Sequence, residues 1–544
     1  MRSLVDLLVA RAASHPARGF RFVDDDTVLS YRELDRDARR IASVLAERNI
    51  APGARVALAY PAGLDFVRAF WGCIYAGVIA VPVPAPHPAR LARTLPRLRA
   101  IVTDCTPSAV LTTAALATRV PELGDVITTD DATGDPMRQP HDSPSDAIAL
   151  LQYTSGSTRS PRGVVLDHAN ILHNLGLLRA FHLDQHDMVM AHWLPLYHDM
   201  GLIRGMLSPV HMGADCVMLS AEKFVERPAR WLAAVTSHKA TTIGAPNFGF
   251  ELCTRKISDA ELATLDLSSL RLVFSSAEPV RKGTIDRFLA RFGLDPTVFR
   301  PAYGLAEATV AVAGELSHYT THAVSASALR DGRIESATSD DRYDLVSCGA
   351  PLGDMEVAII DGNQRAAPDR VGEIWVRGGS VARGYWGQTD PIFGAELGGT
   401  GPFLRTGDLG WCDADGGLAI VGRMKDAIII RGQTFYPQDL EAAVESVPLV
   451  RAGCTAAFAI ETPDGEAAVI VAEIDVVDWP ASVAAIRAAI SEQLGLALAA
   501  IVAVERGTLP KTASGKVQRA LTRTQYERGE LSALQTWTHP PRDQ

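Results

Sequence analysis

Residues 147–163 read AIALLQYTSGSTRSPRG and join an apolar strand to a polar loop. Residues 147–153 form a short apolar run of the kind that enters a sheet as a buried strand. This strand leads directly into five small or hydroxylated residues, Thr154, Ser155, Gly156, Ser157 and Thr158. Backbone N–H groups of such a loop can surround phosphate oxygens, and the hydroxyls add donors. A plain polar turn is the alternative, because no Gly-Lys-Ser/Thr closes the loop as in a Walker motif.

Strand-like and helix-like segments alternate on both sides of this stretch. Residues 64–76 have helical spacing, and residues 91–100 predict a helix that Pro96 should start or kink. Residues 81–88 contain four prolines and predict an extended connector instead of a helix or central strand. Further apolar runs predict strands at 55–60, 109–112, 189–194, 216–219, 272–275 and 298–303. The alternation favours layered, mostly parallel α/β sheets.

The pattern changes near residue 346. Residues 357–360 and 373–376 predict strands with little helix between them, which favours a small antiparallel sheet or barrel. Beyond Gly422, strands and helices again follow each other, as expected for a compact α+β unit. The predicted elements of this unit are strands at 428–430, 456–460, 467–474 and 501–504, and helices at 437–444 and 482–494. The boundary is expected at about residues 421–425.

Composition excludes several classes of protein. The 544 residues are 47% hydrophobic, enough for a large core and more than one domain. The net charge of -10, from 63 acidic and 53 basic residues, argues against a nucleic-acid-binding surface. Seven cysteines without a CxxC pair indicate free thiols in a reducing compartment. With no signal peptide and no membrane-spanning apolar run recognisable, we expect a cytoplasmic protein with neither nucleic acid nor a transmembrane segment.

Two further motifs have side chains suited to a nucleotide. In PAYGLAE, residues 301–307, the aromatic ring of Tyr303 at a strand end can stack on a base. The Glu307 carboxylate of the same motif can hold a Mg²⁺ ion that bridges phosphates. In LRTGDLG, residues 404–410, Asp408 in a Gly turn can accept both ribose hydroxyls. The alternatives are a core Tyr with a helix-start Glu, and an Asx-turn that only shapes a loop.

Two charged stretches lie in the last part of the chain. GRMKD occupies residues 422–426 at the expected domain junction. LPKTASGKVQR occupies residues 509–519, where Lys511 and Lys516 flank a Ser-Gly loop. Taken alone, each is equally compatible with a solvated charged loop.

The order and spacing of these five motifs closely resemble the adenylate-forming superfamily of acyl-CoA synthetases, peptide-synthetase adenylation domains and luciferases. The resemblance covers essentially the whole chain. It implies an α/β fold with a large N-terminal domain over residues 1–421, built from two α/β-layered subdomains and a small β-barrel. It also implies a hinge at 422–426 and a small mobile α+β domain over 427–544.

The same resemblance assigns nucleotide-binding roles position by position. The loop Thr154 to Thr158 matches the cradle of the ATP phosphates, and Tyr303 with Gly304 matches the adenine-stacking position. Asp408 matches the ribose-binding residue, and Arg423 a second ribose and phosphate contact. The family segment that lines the adenine edge is matched by four consecutive residues, Ser276, Ala277, Glu278 and Pro279.

Catalytic roles follow in the same way. Lys516 matches the catalytic lysine, His198 in LPLYHDMG the acid-binding site, and Glu307 the Mg²⁺ ligand, with Thr154 as a second metal contact. A carboxylate that attacks the α-phosphate builds up negative charge, which Mg²⁺ and a lysine would stabilise. One position departs from the family, since Arg162 stands where a Lys is usual and a planar guanidinium is not a point charge.

Several stretches resemble the fatty acyl-AMP ligases in particular. These are residues 81–100, 194–205, 244–253, 346–349 and 428–441. That branch carries an insertion, matched here by residues 321–342 in a long interval before residue 346, and long surface loops are often functional. In the branch the insertion packs on the large domain and disfavours use of CoA.

The resemblance therefore implies a ligase that uses ATP and Mg²⁺ to convert a fatty acid into fatty acyl-AMP and pyrophosphate. The acyl group would then pass to the phosphopantetheine thiol of an acyl carrier protein, as in polyketide or lipopeptide biosynthesis. One alternative is a fatty acyl-CoA synthetase that uses free CoA. The other is a non-catalytic acyl-nucleotide-binding protein, against which the intact Lys516, Asp408 and Glu307 argue.

Overall fold

The structure is a computed structural model, and it describes residues 1–86, 91–118, 124–130, 132, 135–137, 139–154, 161–182, 187–462, 465–512 and 515–539. Two large sheets with helices between them form the first two-thirds of the fold, and two smaller sheets follow. Most strand pairs of the large sheets are parallel. The expected α/β class is confirmed.

Numbered along the chain, the α-helices among these residues are α1 Leu4–Ser14, α2 Tyr31–Glu47, α3 Leu64–Ala76, α4 Leu91–Cys105, α5 Ala114–Ala117, α6 His168–Phe181, α7 Ser208–Met212, α8 Ala221–Glu226, α9 Ala229–His238, α10 Asn247–Lys256, α11 Asp259–Leu262, α12 Lys282–Phe292, α13 Ala326–Arg330, α14 Pro437–Glu445, α15 Trp479–Leu494 and α16 Arg519–Glu527.

The strands of the two large sheets are β1 Gly19–Phe22, β2 Thr27–Ser30, β3 Arg55–Leu58, β4 Ile79–Pro82, β5 Ala109–Thr112, β6 Val126–Thr128, β7 Ile148–Thr154, β8 Arg162–Asp167, β9 Val189–His192, β10 Asp215–Met218, β11 Thr242–Ala245, β12 Leu272–Ser275, β13 Phe299–Tyr303 and β14 Ala313–Gly314. The remaining strands are β15 Thr321–Val324, β16 Tyr343–Val346, β17 Glu356–Asp361, β18 Gln364–Arg365, β19 Gly372–Arg377, β20 Ala395–Leu397, β21 Thr400–Cys412, β22 Leu418–Arg423, β23 Ile428–Ile430, β24 Gln433–Phe435, β25 Val450–Thr462, β26 Gly465–Ile474, β27 Leu498–Val504 and β28 Ala533–Thr538.

The six-stranded sheet has the strand order β6-β5-β3-β4-β7-β8. Its last pair is antiparallel, with Thr154 at the end of β7 opposite Arg162 at the start of β8. The apolar side chains of α3, among them Phe70 and Trp71, are fully buried. They share one continuous core with side chains of β3, β4 and β7. This packing fixes the end of β7 at the phosphate-loop motif.

The eight-stranded sheet has the strand order β14-β13-β12-β11-β9-β10-β1-β2. Parallel strands β12 and β13 end side by side, at Ser275 and Tyr303. After β9, Met200–Leu207 forms a buried π-helix, a type of turn that recurs at functional sites. Side chains from the strand ends and from this helix therefore lie at one edge of the sheet.

The small antiparallel sheet has the order β18-β17-β19-β21-β20, with β22 paired to β21. It lies where the small barrel was expected. On its β21–β22 ladder, Asp408 is the direct cross-strand partner of Arg423. Two distant motifs of the sequence thereby become neighbours on one face.

The candidate insertion at 321–342 begins with β15 and α13 and pairs back onto β16, so we call residues 321–346 the insertion hairpin. Val324, Leu329 and Leu345 pack against Ala419 and Val421 of the small sheet. The hairpin also reaches beyond residue 427. The Tyr343 hydroxyl contacts Asp439 of α14, and the Arg330 guanidinium lies over the Phe435 ring. The segment thus contacts more than the large domain that the resemblance implies.

The C-terminal sheet, β25-β26-β27-β28, is packed on α14 and α15 through a core of its own. The helix–strand order expected beyond Gly422 is present, including the antiparallel pair β25–β26. The division into residues 1–421, 422–426 and 427–544 stays a proposal.

One expectation about prolines was wrong. Residues 81 and 82, placed in a connector, close strand β4, which tolerates Pro82 because the proline is its last residue. Helix α4 passes through Pro96 to Cys105. Burial of Leu98, Ile101 and Cys105 on one face compensates for the backbone hydrogen bond that Pro96 cannot donate.

Candidate active site

A cavity of about 2120 Å³ lies between the edges of the two large sheets, the small sheet and the C-terminal unit. It is lined by every predicted site residue that the structure describes, namely Thr154, His198, Ser276, Ala277, Glu278, Pro279, Tyr303, Gly304, Glu307, Asp408, Arg423 and Lys516. Ser155, Gly156, Ser157 and Thr158 lie outside the described residues.

The Asp408 carboxylate is held from two sides. Its Oδ2 accepts a hydrogen bond of 2.8 Å from the Tyr303 hydroxyl, and its Oδ1 lies 2.8 Å from Arg423 Nε. The carboxylate raises the pKa of Arg423, and burial raises the pKa of Tyr303 well above its ordinary range. Two carboxylate oxygens offer about four acceptor positions. Asp408 therefore keeps acceptor capacity for ligand hydroxyls.

Gly304 follows Tyr303 where two backbone segments come very close. A Cβ at this position would meet the Val310 carbonyl oxygen at 1.6 Å, so only glycine fits. The close approach fixes the turn that carries the Tyr303 ring and the following Glu307.

The Glu307 carboxylate is oriented by a tyrosine that the sequence did not single out. Tyr385 donates its hydroxyl to Glu307 Oε1 at 2.7 Å. Burial raises the pKa of Glu307. The other carboxylate oxygen stays available for a cation at the cavity wall.

Arg162, which departs from the family pattern, contacts the same tyrosine, Tyr385. Its Nη1 lies 3.0 Å from Asp390 Oδ2, and its guanidinium lies over the Tyr385 ring at 5.0 Å. A planar guanidinium can make an ion pair and a ring contact together, which an ammonium does less well. Arg162 thus helps to position Tyr385, and through it Glu307.

Lys516 enters the cavity from the C-terminal unit. Its Nζ donates a hydrogen bond of 2.6 Å to the carbonyl oxygen of Ala277. Burial lowers the pKa of Lys516, while the carboxylates of Glu278 and Asp199 oppose that shift. The preceding Gly515 lies against the Phe248 ring, where a Cβ would be 2.7 Å from a ring carbon. The close approach to Phe248 therefore requires a glycine at position 515.

His198 lies at the start of the π-helix, with Nδ1 2.6 Å from Asp199 Oδ1. Burial opposes ionisation of Asp199, but His198 and Lys516 outweigh it and lower the pKa of that carboxyl. The His198 imidazole, the Asp199 carboxylate that orients it and the nearby Lys516 amine together form a polar region of the cavity wall.

Sequence reasoning missed Tyr385, Asp199 and Phe248 as parts of this site. Asp199 stood inside the LPLYHDMG motif, so its proximity to His198 was a signal. Tyr385 and Phe248 become neighbours of Glu307 and Gly515 only through packing between distant segments.

The donors at the cavity fit a magnesium ion that is held partly by phosphates. Among the described residues no three His, Cys, Asp or Glu side chains form a metal-binding group. Mg²⁺ is commonly bound through one or two carboxylates together with substrate phosphates, so a dedicated cluster is not required. Glu307 and the Thr154 hydroxyl line the same cavity and supply such oxygens.

Within the part of the chain that the structure covers, no helix is both long and apolar enough to cross a membrane.

Two known protein families match successive parts of the chain. Residues 8–386 match the family described as AMP-binding enzyme. Residues 425–536 match the family described as Disco-interacting protein 2-like, AMP domain.

One curated relative and one solved structure match along nearly their full length. Medium-chain-fatty-acid–[acyl-carrier-protein] ligase JamA of Moorena producens is 39% identical, over 97% of this chain and 96% of JamA. The fatty acyl-adenylate ligase of Legionella pneumophila, solved with acyl adenylate and pyrophosphate, is 34% identical. It has a TM-score of 0.76 and covers 99% of this chain and 98% of its own. The chain belongs to the AMP-binding enzyme family, in the branch of the fatty acyl-AMP ligases.

Proposed function

We propose that this enzyme joins the carboxylate of a fatty acid to AMP. A carboxylate oxygen attacks the α-phosphorus of ATP, the bond from that phosphorus to the oxygen bridging the β-phosphate breaks, and pyrophosphate leaves with the electron pair. The observation that carries this proposal is the bond between Lys516 and Ala277, which brings a C-terminal cation into the cavity shared by Asp408 and Glu307.

Each side chain has a role that its geometry supports. Asp408 accepts the ribose hydroxyls, and the Tyr303 ring stacks on adenine beside the segment 276–279. Lys516 stabilises the charge that develops between the carboxylate and the α-phosphate. His198 positions the acid. Bound Mg²⁺ would neutralise phosphate charge, with Glu307 and Thr154 as its protein contacts.

The test is release of pyrophosphate by the full-length chain with ATP, Mg²⁺ and fatty acids of increasing length. The acyl product is identified by mass. Acid-dependent pyrophosphate release with an acyl-AMP product supports the proposal and rules out a non-catalytic acyl-nucleotide-binding protein. No release with any acid would overturn it.

The proposed acceptor of the acyl group is the phosphopantetheine thiol of a carrier protein. JamA, which is 39% identical to this chain, is named as an acyl-carrier-protein ligase. A cationic part of the cavity rim, formed by Arg255, Lys256 and Arg451, suits the phosphate of a phosphopantetheine arm. Burial lowers the pKa of Lys256, and the charges of Arg451 and Arg255 add to the shift.

Carrier transfer and CoA transfer are distinguished by the acceptor. The thiol attacks the acyl carbonyl carbon, a thioester forms, and AMP leaves. We expect fast transfer to a phosphopantetheinylated carrier and slow transfer to free CoA. Fast acyl-CoA formation would favour a fatty acyl-CoA synthetase instead.

We propose the hinge at residues 422–426, between the β21–β22 ladder and the C-terminal unit, and rotation of residues 427–544 between the two steps. Lys425 and Arg423 line the cavity, so a rotation here would change its cationic wall. The seven free thiols support a reducing, cytoplasmic compartment.

A further inference from the structure

Arg204 is a buried cation, and two of its guanidinium nitrogens have no hydrogen-bonding partner among the described residues. It lies in the π-helix Met200–Leu207 and is 3% exposed. Its Nε and Nη2 make no hydrogen bond to any residue that the structure describes. A buried guanidinium normally has its N–H groups paired, because an unpaired buried charge is costly.

Within the described part of the chain, the groups recorded against the Arg204 guanidinium are two aromatic rings. Its guanidinium lies between the Phe181 ring, at 4.3 Å, and the Phe274 ring, at 3.6 Å. The rings stabilise the cation through their faces but accept none of its N–H bonds in the plane. Burial lowers the pKa of Arg204 to about 9.

Two more buried polar groups of the same region also lack partners. Both ring nitrogens of His182 are unbonded among the described residues, and so are Nε and Nη1 of Arg300. Arg204 and Arg300 both lower the pKa of His182, after the effect of burial. Among the described residues this region therefore holds several buried nitrogens without hydrogen-bonding partners, while the charge of Glu315 acts on Arg300.

Arg204 faces the cavity that holds the acid-binding motif. It lines the cavity together with Met200, Ala302 and Ala311, whereas Arg300 and His182 do not. It follows Met200 by about one turn of the π-helix, six residues beyond His198. A molecule that presents its carboxylate near His198 would extend its chain towards Arg204.

We propose that Arg204 recognises a second acceptor group on the acyl chain, one that carries negative charge, in the simplest case a carboxylate. This inference rests on the proposed function and narrows its substrate to acids with an anionic group along or at the end of the chain. Arginine has five donors and no acceptor, and it pairs with carboxylates through two parallel bonds. The apolar rings on both faces hold the guanidinium plane for such a pair.

The competing interpretation is structural, with Arg204 only packing between two aromatic rings. It predicts that substitution lowers stability and affects all acids alike. Arg300→Met is a matched control, because Arg300 is 7% exposed and has two nitrogens unpaired among the described residues but does not line the cavity.

The experiment measures kcat/KM for pyrophosphate release with straight-chain acids of increasing length and with their ω-carboxy and ω-hydroxy counterparts. The parent enzyme should prefer an ω-carboxy acid of one length over the plain acid. In Arg204→Met the ratio of ω-carboxy to plain acid should fall by about 10- to 100-fold. Arg204→Lys should restore part of the ratio, and Arg300→Met should leave the ratio as in the parent.

The other outcomes separate the inference from the proposed function. If the parent uses plain acids and no ω-carboxy acid, the inference fails and the proposed function stands. If no acid of any series releases pyrophosphate, both fail. If Arg204→Met does not fold, the parent and the Arg204→Lys variant decide. Recognition by Arg204 is contradicted if the parent shows no preference for an ω-carboxy acid and Arg204→Lys leaves the ratio of ω-carboxy to plain acid unchanged.

Discussion

The Tyr343 hydroxyl donates a hydrogen bond of 3.0 Å to Asp439 Oδ1, and this bond joins the insertion hairpin to the first turn of α14. Burial raises the pKa of Asp439 to about 6, against opposing effects of Tyr343 and Arg281. The contact is therefore both a mechanical link between the hairpin and the C-terminal unit and a site that titrates.

Stability should fall as pH rises through the range of this titration. A carboxyl whose pKa is higher in the folded than in the unfolded protein stabilises the fold when protonated, and this contribution is lost between about pH 4 and pH 6. Asp439→Asn should therefore be more stable than the parent at pH 7 by on the order of 1–3 kcal/mol. Urea unfolding at pH 4 and at pH 7 measures this, and an equal difference at both values would contradict it.

Loosening the hairpin should increase the use of CoA. Replacing residues 321–342 by a short Gly/Ser linker should leave acyl-AMP formation largely intact and raise the ratio of acyl-CoA to acyl-AMP. A smaller change, Tyr343→Phe with Arg330→Ala, removes contacts with residues beyond 427 and should shift the ratio in the same direction.

The control for the hairpin experiment is Tyr319→Phe. The Tyr319 hydroxyl bonds to Asp286 within the large α/β part at 2.7 Å, so its loss should not change the ratio. A linker variant that forms acyl-AMP but no more acyl-CoA than the parent would place the block to CoA elsewhere.

Lys516→Ala should fold normally and lose acyl-AMP formation by roughly 10²–10³-fold, the typical cost of removing one transition-state donor. Lys511→Ala is the matched control, because the Lys511 amine contacts Cys454 Sγ at 2.9 Å and not the 276–279 segment. Single-turnover pyrophosphate release, measured for Lys516→Ala and Lys511→Ala, distinguishes the effects of the two substitutions. Nearly unchanged turnover in Lys516→Ala would remove this lysine from the chemistry.

Asp408→Ala should raise the apparent KM for ATP by about 10- to 100-fold, because the ribose hydroxyls lose a charged acceptor and Arg423 loses its partner. Tyr303→Phe keeps the ring and removes only one hydrogen bond to Asp408, so its effect should be smaller. Equal KM values for ATP in the parent and in Asp408→Ala would exclude the ribose role.

Tyr385→Phe should raise the Mg²⁺ concentration needed for half-maximal pyrophosphate release by about 10-fold, since a residue that orients a metal ligand is lost. The hydrogen bond from Tyr385 also lowers the pKa of Glu307, so its removal should move the acid limb of activity to higher pH. Tyr60→Phe is the control, because its hydroxyl bonds to Thr129 and does not line the cavity.

The sequence by itself determined the class of fold, the order of the motifs and most strand positions near the site. Strand β5 at Ala109–Thr112 and β12 at Leu272–Ser275 have the predicted bounds, because short apolar runs between turns are local signals. The polar loop after β7 and the Gly turn at Asp408 are likewise local, and the family resemblance followed from their order.

Only the tertiary structure decided which side chains meet. Lys516 contacts Ala277 across 239 positions of sequence, and Tyr385 contacts Glu307 across 78. No spacing rule predicts such pairs, because they depend on how separate sheets pack against each other. The unpaired state of Arg204 belongs to the same class of fact. A sequence shows that an arginine is present, but only its buried surroundings show that the described residues provide no hydrogen-bonding partner for its Nε and Nη2.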